Sequence, residues 1–427
     1  MKVILYFSDA FAWRYVEDGQ WMPEWWDERR PLTTILGFSS TILPCLVSGR
    51  MPVETGIWTE YYRHDRPQSG LAKAIVSNPV TRVPVNLARL VAFRFARKAG
   101  MLAAHKLRIP LQLSHHFLRH DMDYKRFPPV QLPVPTLADL CRERGLRFGF
   151  RYLDHGYDDK AELARFERDL PSKDVLFLYD PSIDGHGHHA GADVNVLKPD
   201  MDRVERFLRR ATELATQHDD EVHVLLFSDH GMTNVDRTYD IFAALAPFKL
   251  GTDYLVFVDS TFARFWYHRP GIREEIHRAL AGAPASFLTE AERRSYGIDF
   301  ADDRYGQEVF VADEGVVLHP SYISPSGFRT RLYPDRATHG YRPEAPTASG
   351  ICFRRGAGAD PSRTGPVHAT DVFSIVDEMT GGDPVGTVRR RRAGGAVSMK
   401  ASDGGHAGLA TAGLSGPGTP ESLGPPS

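Results

Sequence analysis

VLFLYDPSIDGHGHHAGA, residues 175–192, is the stretch from which the fold can be read. Its opening, Val175 to Tyr179, is a continuous apolar run, as expected of a strand buried on both faces of a parallel sheet. The run then breaks into a segment predicted to be a loop, which carries Asp180, Asp184, His186, His188 and His189 among three glycines. Carboxylate and imidazole donors packed so densely past a strand end point to a divalent-metal site. A polar loop with solvated histidines has the same composition, and short motifs give false positives. The segment VHVLLFSDHGM, residues 222–232, decides between the two readings. It repeats the design: an apolar run, then an acid and a histidine, Asp229 and His230.

Outward from these two segments, strand and helix alternate. Val3 to Ser8 reads as a central strand ending at Asp9. A capped amphipathic helix over 136–145 leads into a strand over 147–152, and a helix over 161–170 leads into the run at Val175. Val204, Phe207, Leu208, Ala211 and Leu214 give 201–218 helical spacing ahead of strand 222–228. This alternation predicts an α/β fold: a three-layer αβα sandwich around a mainly parallel, doubly wound sheet. Residues 13–30 show no clear period and read as a loop or short helix. A strand over 349–354 and a helix over 370–379 close the core.

Before the second half lies LGFSSTILPCLVSGR, residues 36–50. Ser39, Ser40 and Thr41 supply hydroxyls suited to capping a helix. Pro44 places the helix start within a few residues of itself, and Gly49 ends the helix. Plain capping accounts for such a run, but a helix N-terminus also favours an incoming phosphate or sulfate.

Three segments stand apart from the core, which is expected to comprise 1–62, 130–247 and 333–388. Between Asp65 and Asp121 there is no acidic residue, while basic ones recur among apolar ones. The insertion 63–129 is therefore predicted to be basic and largely helical, able to touch an anionic membrane surface peripherally or simply to present a solvated face. Residues 248–332 read as a smaller α+β cap. The Gly-, Ser- and Pro-rich tail 389–427 is expected to be disordered.

The net charge of −2 gives no global attraction to nucleic acid, so none is expected as a partner. The three cysteines, Cys45, Cys141 and Cys352, are widely spaced and fit a reducing compartment better than a disulfide framework. The apolar run at the N-terminus is too short for a signal peptide, and no run approaches a membrane span. A cytoplasmic location is the expectation.

Taken in order, Asp9, Ser39, Asp184/His188, Asp229/His230 and His339 resemble the alkaline phosphatase superfamily, and within it the type I phosphodiesterase/nucleotide pyrophosphatase branch. Asp184, Gly187, His188 and Gly191 fit that branch's Asp-x-x-Gly-His-x-x-Gly. Ser228-Asp229-His230-Gly231-Met232 matches its Ser-Asp-His-Gly-Met, and His339-Gly340-Tyr341 its His-Gly-Tyr. Counting back from Ser48-Gly49 puts the nucleophile at Ser39, with Ser40 and Thr41 as alternatives. The resemblance implies one metal held by Asp184, His188 and His339, and another by Asp9, Asp229 and His230 with Ser39. The ions implied are zinc, or manganese, since ligand type alone does not fix the metal. The backbone N–H of Ser40 would face a phosphoryl oxygen, and Thr41 and Tyr341 would line the substrate pocket. The chain departs from the branch at Ala10, where glycine is usual. It departs again at Ile42, where an asparagine is expected.

The activity implied is metal-dependent cleavage of a phosphodiester or pyrophosphate through a phosphoseryl intermediate. Its substrate would be a nucleotide, nucleotide-sugar or lipid-linked phosphate. A phosphomonoesterase on the same scaffold is the alternative within the class, and a non-catalytic binder of anionic glycans or lipids the alternative outside it. Sulfatase chemistry is disfavoured, because Cys45-Leu-Val-Ser-Gly lacks the required proline.

Overall fold

The apolar runs become one sheet. The protein is described here by a computed structural model covering residues 1–64, 112–154, 156–323, 335–356 and 358–381, with 80, 84–85, 87–88, 91–92 and 109–110. In chain order the first strands are β1 (Lys2–Ser8), β2 (Glu28–Thr33), β3 (Tyr61–Arg63), β4 (Phe117–Arg119), β5 (Phe148–Tyr152), β6 (Val175–Asp180) and β7 (Val222–Phe227). There follow β8 (Thr233–Asn234), β9 (Arg237–Asp240), β10 (Tyr254–Val258), β11 (Phe262–Tyr267), β12 (Ala285–Phe287) and β13 (Glu308–Ala312). The last are β14 (Val316–His319), β15 (Ala337–Thr338), β16 (Gly350–Arg355) and β17 (Val367–His368).

The main sheet has seven strands in the order β17-β2-β16-β7-β1-β6-β5. β5, β6, β1 and β7 run parallel. β16 is antiparallel to both its neighbours, and β17 is parallel to β2. Alternate residues of the parallel strands feed two separate cores. Ile4, Tyr6, Leu176, Leu178, Val224 and Leu226 face Val204, Phe207 and Leu208 of the helix Val194–Thr216. Val3, Leu5, Phe7, Phe177 and Phe227 face Ile42 and Leu46 of the helix Ser39–Ser48 and Val372 and Val376 of the helix Asp371–Met379. Both faces are buried, so the strands are apolar throughout rather than alternating, and the sandwich has three layers.

The segment expected as a cap forms a four-stranded antiparallel sheet, β10-β11-β13-β12. The helix Ile272–Leu280 buries Ile272, Ile276 and Leu280, packed in one core with Val256 and Phe265 of that sheet. Arg264 on β11 ties the cap to the core: its guanidinium donates to the Tyr61 carbonyl at 2.8 Å and pairs with Asp259. Phe262 stacks on Trp58 beside it.

Several local expectations change. β2 begins in the region read as loop or short helix, residues 13–30, and runs past it to Thr33. Its Glu28, Arg29, Arg30 and Pro31 hide the strand, and Pro31 lies beyond the two residues that β17 pairs with. The helix of residues 201–218 starts earlier, at Val194, where Asp193 accepts from the Asn195 N–H and caps it. The segment past β6 is not a loop but the helix Ser182–Ala190. Pro44 sits well inside the helix Ser39–Ser48 rather than in its first turn, and Gly49 ends that helix in the left-handed conformation. The insertion 63–129, expected to be basic and largely helical, falls mostly outside the described residues, and the tail wholly so. Among the described residues, no helix is long and apolar enough to cross a membrane.

Candidate metal centre and nucleophile

The parallel register sets the site. Phe7 is level with Tyr179 and Phe227, and Ser8 with Asp180, so β1, β6 and β7 end side by side. Asp9, Asp184 and Asp229 therefore emerge together at the carboxyl edge of the sheet, where open α/β sheets bind ligands. Asp184 and His188 are one turn apart on the helix Ser182–Ala190, with His188 Nε2 3.3 Å from Asp184 Oδ1. His339, far along the chain, arrives because β15 pairs with β8, just past Met232. Its ring stacks on His230 with centroids 3.7 Å apart.

Among the described residues, two three-residue groups have ligand atoms within 4.8 Å of one another: Asp9 with Asp229 and His230, and Asp184 with His230 and His339. The first is the set expected from the sequence. In the second, His230 stands where His188 was expected. The His188 ring is held by Nδ1 on the Ala337 carbonyl at 2.8 Å, and it lies 5.3 Å from the His339 ring. His188 thus borders the group without closing it, while the stacked His230 lies nearer.

The electrostatics fit a cation. Burial, then the charges of Asp229 and Asp184, push the Asp9 carboxyl well above its usual range. Burial also raises Asp184, but His188, His339 and His230 outweigh it and carry it below the carboxylate range. Burial lowers His188 and His230, yet Asp184 in one case and Asp229 with Asp9 in the other raise each to about 9. Burial and the neighbouring His230 push His339 well below its usual value. A buried carboxylate cluster that forces two of its three imidazoles, His188 and His230, towards the cationic form lacks positive charge, which a divalent ion supplies. His339 Nδ1 is buried without a hydrogen-bond partner, and Asp184 Oδ1 and Asp229 Oδ2 are buried facing the imidazoles of His188 at 3.3 Å and His230 at 3.1 Å. The mixed oxygen and nitrogen donors suit zinc or manganese.

Ser39 is not a cap. The N-cap position is Phe38, with no side-chain cap, and Ser39 is the first helical residue. Its hydroxyl is 3.3 Å from Asp9 Oδ1, to which it donates, and 3.2 Å from His230 Nε2. The Ser40 N–H lies in the first helical turn, where backbone donors have no partner within the helix. A cleft of about 200 Å³ opens here, lined by Phe38, Ser39, Ser40, Glu60, Tyr124 and His339 among others.

Two expected pocket residues lie elsewhere. Thr41 is fully buried and its hydroxyl donates to the Trp58 carbonyl, which takes it out of the cleft. Tyr341 is buried in the cap core with Val316 and Leu318, beside a void of about 10 Å³ behind His230 and His339. His186, which a polar loop would leave solvated, instead bonds Asp200 at 2.5 Å and joins two helices. Asp180 accepts from Tyr6 at 2.7 Å and from the Ser182 N–H at 2.9 Å, so it serves the strand end.

Sequence reasoning missed Glu60 and Tyr124, which nothing local marks. It also missed Tyr179, whose hydroxyl donates to Asp9 Oδ2 at 2.6 Å. The glycine of one motif and the methionine of another prove to be two sides of one contact. A Cβ on Gly187 would stand 2.4 Å from Met232 Sδ, so the missing side chain lets the two ligand segments meet.

The chain matches the family Type I phosphodiesterase / nucleotide pyrophosphatase over residues 31–342, more than half its length. Among solved structures it is similar to human ectonucleotide pyrophosphatase / phosphodiesterase 5, with a TM-score of 0.62 at 15% identity, over 90% of this chain and 96% of that one. The murine counterpart gives a TM-score of 0.60 at the same identity and coverage. An inactive variant of the murine protein, solved in complex with AMP, gives the same values. At this identity the structural likeness speaks for the fold, a mixed α/β fold of the alkaline phosphatase type. The family match over residues that include Ser39, the paired Asp–His segments and His339 speaks for more. The chain belongs to the type I phosphodiesterase/nucleotide pyrophosphatase family of the alkaline phosphatase superfamily, and is a phosphoric ester hydrolase.

Proposed function

We propose that the protein cleaves phosphodiester or pyrophosphate bonds through a covalent intermediate on Ser39. The observation that carries this reading is the Ser39 hydroxyl. It is not spent on capping, and it stands 3.3 Å from Asp9 Oδ1 and 3.2 Å from His230 Nε2 at the mouth of a cleft. Asp184, His188 and His339 would hold one divalent cation, zinc or manganese, and Asp9, Asp229 and His230 the other. Bound there, such cations lower the pKa of the serine hydroxyl and neutralise charge on the phosphoryl group.

The residues do the rest. Ser39 Oγ forms a bond to phosphorus as the ester or anhydride P–O bond opposite it breaks, and water later cleaves the Oγ–P bond. The Ser40 N–H and the helix start behind it offer a donor to a phosphoryl oxygen. The substrate class is a nucleotide, nucleotide-sugar or lipid-linked phosphate. The AMP complex of the murine relative supports a small phosphate ester of the nucleotide kind.

The test compares a nitrophenyl phosphodiester with its monoester, using protein purified with zinc or manganese. Diester preference is expected, with Ser39→Ala losing at least about 100-fold in kcat while keeping its metal. Full turnover by S39A would sink the covalent mechanism, and monoester preference the diesterase reading. Absence of bound metal together with absence of turnover would favour a non-catalytic binder.

A further inference from the structure

We infer that Tyr179 is a positioning residue, which makes Asp9 present a single oxygen to the metal group and to Ser39. The inference rests on the proposed role of Asp9 as a metal ligand.

The two oxygens of Asp9 have different surroundings. Oδ2 accepts a hydrogen bond from the Tyr179 hydroxyl at 2.6 Å. Oδ1 faces Ser39 Oγ at 3.3 Å and His230 Nε2 at 3.6 Å. One oxygen is thus tied off by a phenol, and the other is turned towards the nucleophile. A carboxylate held this way cannot swing to offer both oxygens without breaking a short hydrogen bond, which is of the stronger, charge-assisted kind once a cation keeps Asp9 ionised.

The phenol is itself fixed. β1 and β6 run parallel with Phe7 beside Tyr179 and Ser8 beside Asp180, and the Asp9 N–H bonds the Asp180 carbonyl at 2.9 Å. Asp9 and Tyr179 therefore sit on neighbouring strand ends whose relative height is set by the sheet ladder. The Tyr179 ring is 3% exposed and meets three other rings edge-on: Phe7 at 4.7 Å, Tyr152 at 5.0 Å and Tyr124 at 6.1 Å. Aromatic contacts on several sides leave the ring one orientation and its hydroxyl one target. Tyr124 also lines the cleft, so the wall that meets substrate packs on the residue that holds Asp9.

Tyr179→Phe removes the hydroxyl and keeps the ring contacts. The readout is zinc affinity, by competition of the zinc-loaded protein with a chromogenic chelator, beside kcat and KM on the nitrophenyl diester. The wild type should hold two tight equivalents. In Y179F one of them should weaken by about 10- to 100-fold and the other stay unchanged. On the diester, kcat should fall while KM changes little. Tyr152→Phe, altered in a ring that touches Tyr179, should keep both equivalents. Should Y179F not fold, Tyr179→Met fills much of the same space without a hydroxyl and is read in the same way. Two equivalents bound by Y179F as tightly as by the wild type, or both weakened equally, would make Tyr179 a packing residue and overturn the inference. A wild type with no tight zinc would overturn the ligand assignment on which it rests.

Discussion

Ala10 shows how one residue carries the cost of the site. It follows Asp9 in the left-handed region, with φ of 59°, and its N–H donates to Asp229 Oδ1 at 3.3 Å. That backbone costs a non-glycine residue about 1–2 kcal/mol, which explains the glycine usual in the family at this point. The Ala10 methyl is buried against Ala192, Met232 and Ala337 and returns about 0.8 kcal/mol. Glycine would also lose about 0.5–1 kcal/mol of unfolded-chain entropy. Ala10→Gly should thus leave stability within about 1 kcal/mol of the wild type in denaturant titration. Ala10→Val, β-branched and overpacked in a fully buried position, should cost about 3 kcal/mol or more. Equal stability of the valine variant would contradict the strain. At this scale the sequence revealed residue types better than directions. Asp9, Asp229, His230 and His339 were legible because strand ends and motif order locate them. Thr41 was not, although it lies two residues beyond Ser39 on a helix, about 200° round the axis, and so points elsewhere. The role of Tyr179 needs the register of β6 against β1, which no local pattern states.

Among elements, the helix Ser182–Ala190 and the turn after β7 matter most, and glycine lets them fit. Gly185, Gly187 and Gly191 made the first segment read as a loop, since each glycine costs a helix about 1 kcal/mol. Tertiary contact overrides that cost, because the helix puts Asp184 and His188 on one face and Gly187 lets Met232 approach. Gly231 is more tightly confined. A Cβ there would stand 2.1 Å from the Thr347 carbonyl and 2.9 Å from that of Ser349, and backbone does not move aside cheaply. Gly231→Ala should therefore destabilise by about 3 kcal/mol or more, as overpacking against an unyielding wall does. Gly187→Ala should cost less, because the Met232 side chain can change rotamer and alanine improves the helix. Thermal melts of the two variants check the order, and a G187A protein less stable than G231A would reverse the argument. The sheet itself was legible, since both-face burial leaves continuous apolar runs. β2 was not, because its charged residues and Pro31 resemble a loop until β16 is placed beside them.

Over the whole molecule, the seam between the core and the cap should make stability depend on pH. His120, just past β4, bonds Tyr305 through Nε2 at 2.8 Å, and its ring lies 4.5 Å from that of Tyr62. Tyr305 donates its own proton to the Gly56 carbonyl at 3.0 Å, so Nε2 is the donor to Tyr305. Burial, then the nearby Arg304, lowers His120 from 6.5 to about 4; Arg264 and Arg119 act in the same sense, and Glu60 opposes them. A histidine depressed in the folded state binds its proton more readily once unfolded. Its contribution is therefore complete above the unfolded value and is lost as pH falls from about 6.5 towards 4. At 1.36 kcal/mol per unit the loss reaches about 3 kcal/mol. His319 and His368 are also lowered by burial and act in the same direction, so the wild-type slope alone cannot be credited to His120. A comparison isolates it. His120→Gln keeps an N–H able to reach Tyr305 but has no proton to gain, and the other histidines are common to both proteins. Urea unfolding at pH 7 and pH 4.5 should show the wild type losing about 2 kcal/mol more than H120Q between the two. Parallel losses would mean that the seam opens to water before His120 titrates, and that the cap is held by Arg264 and the Phe262–Trp58 stack without help from the His120–Tyr305 bond.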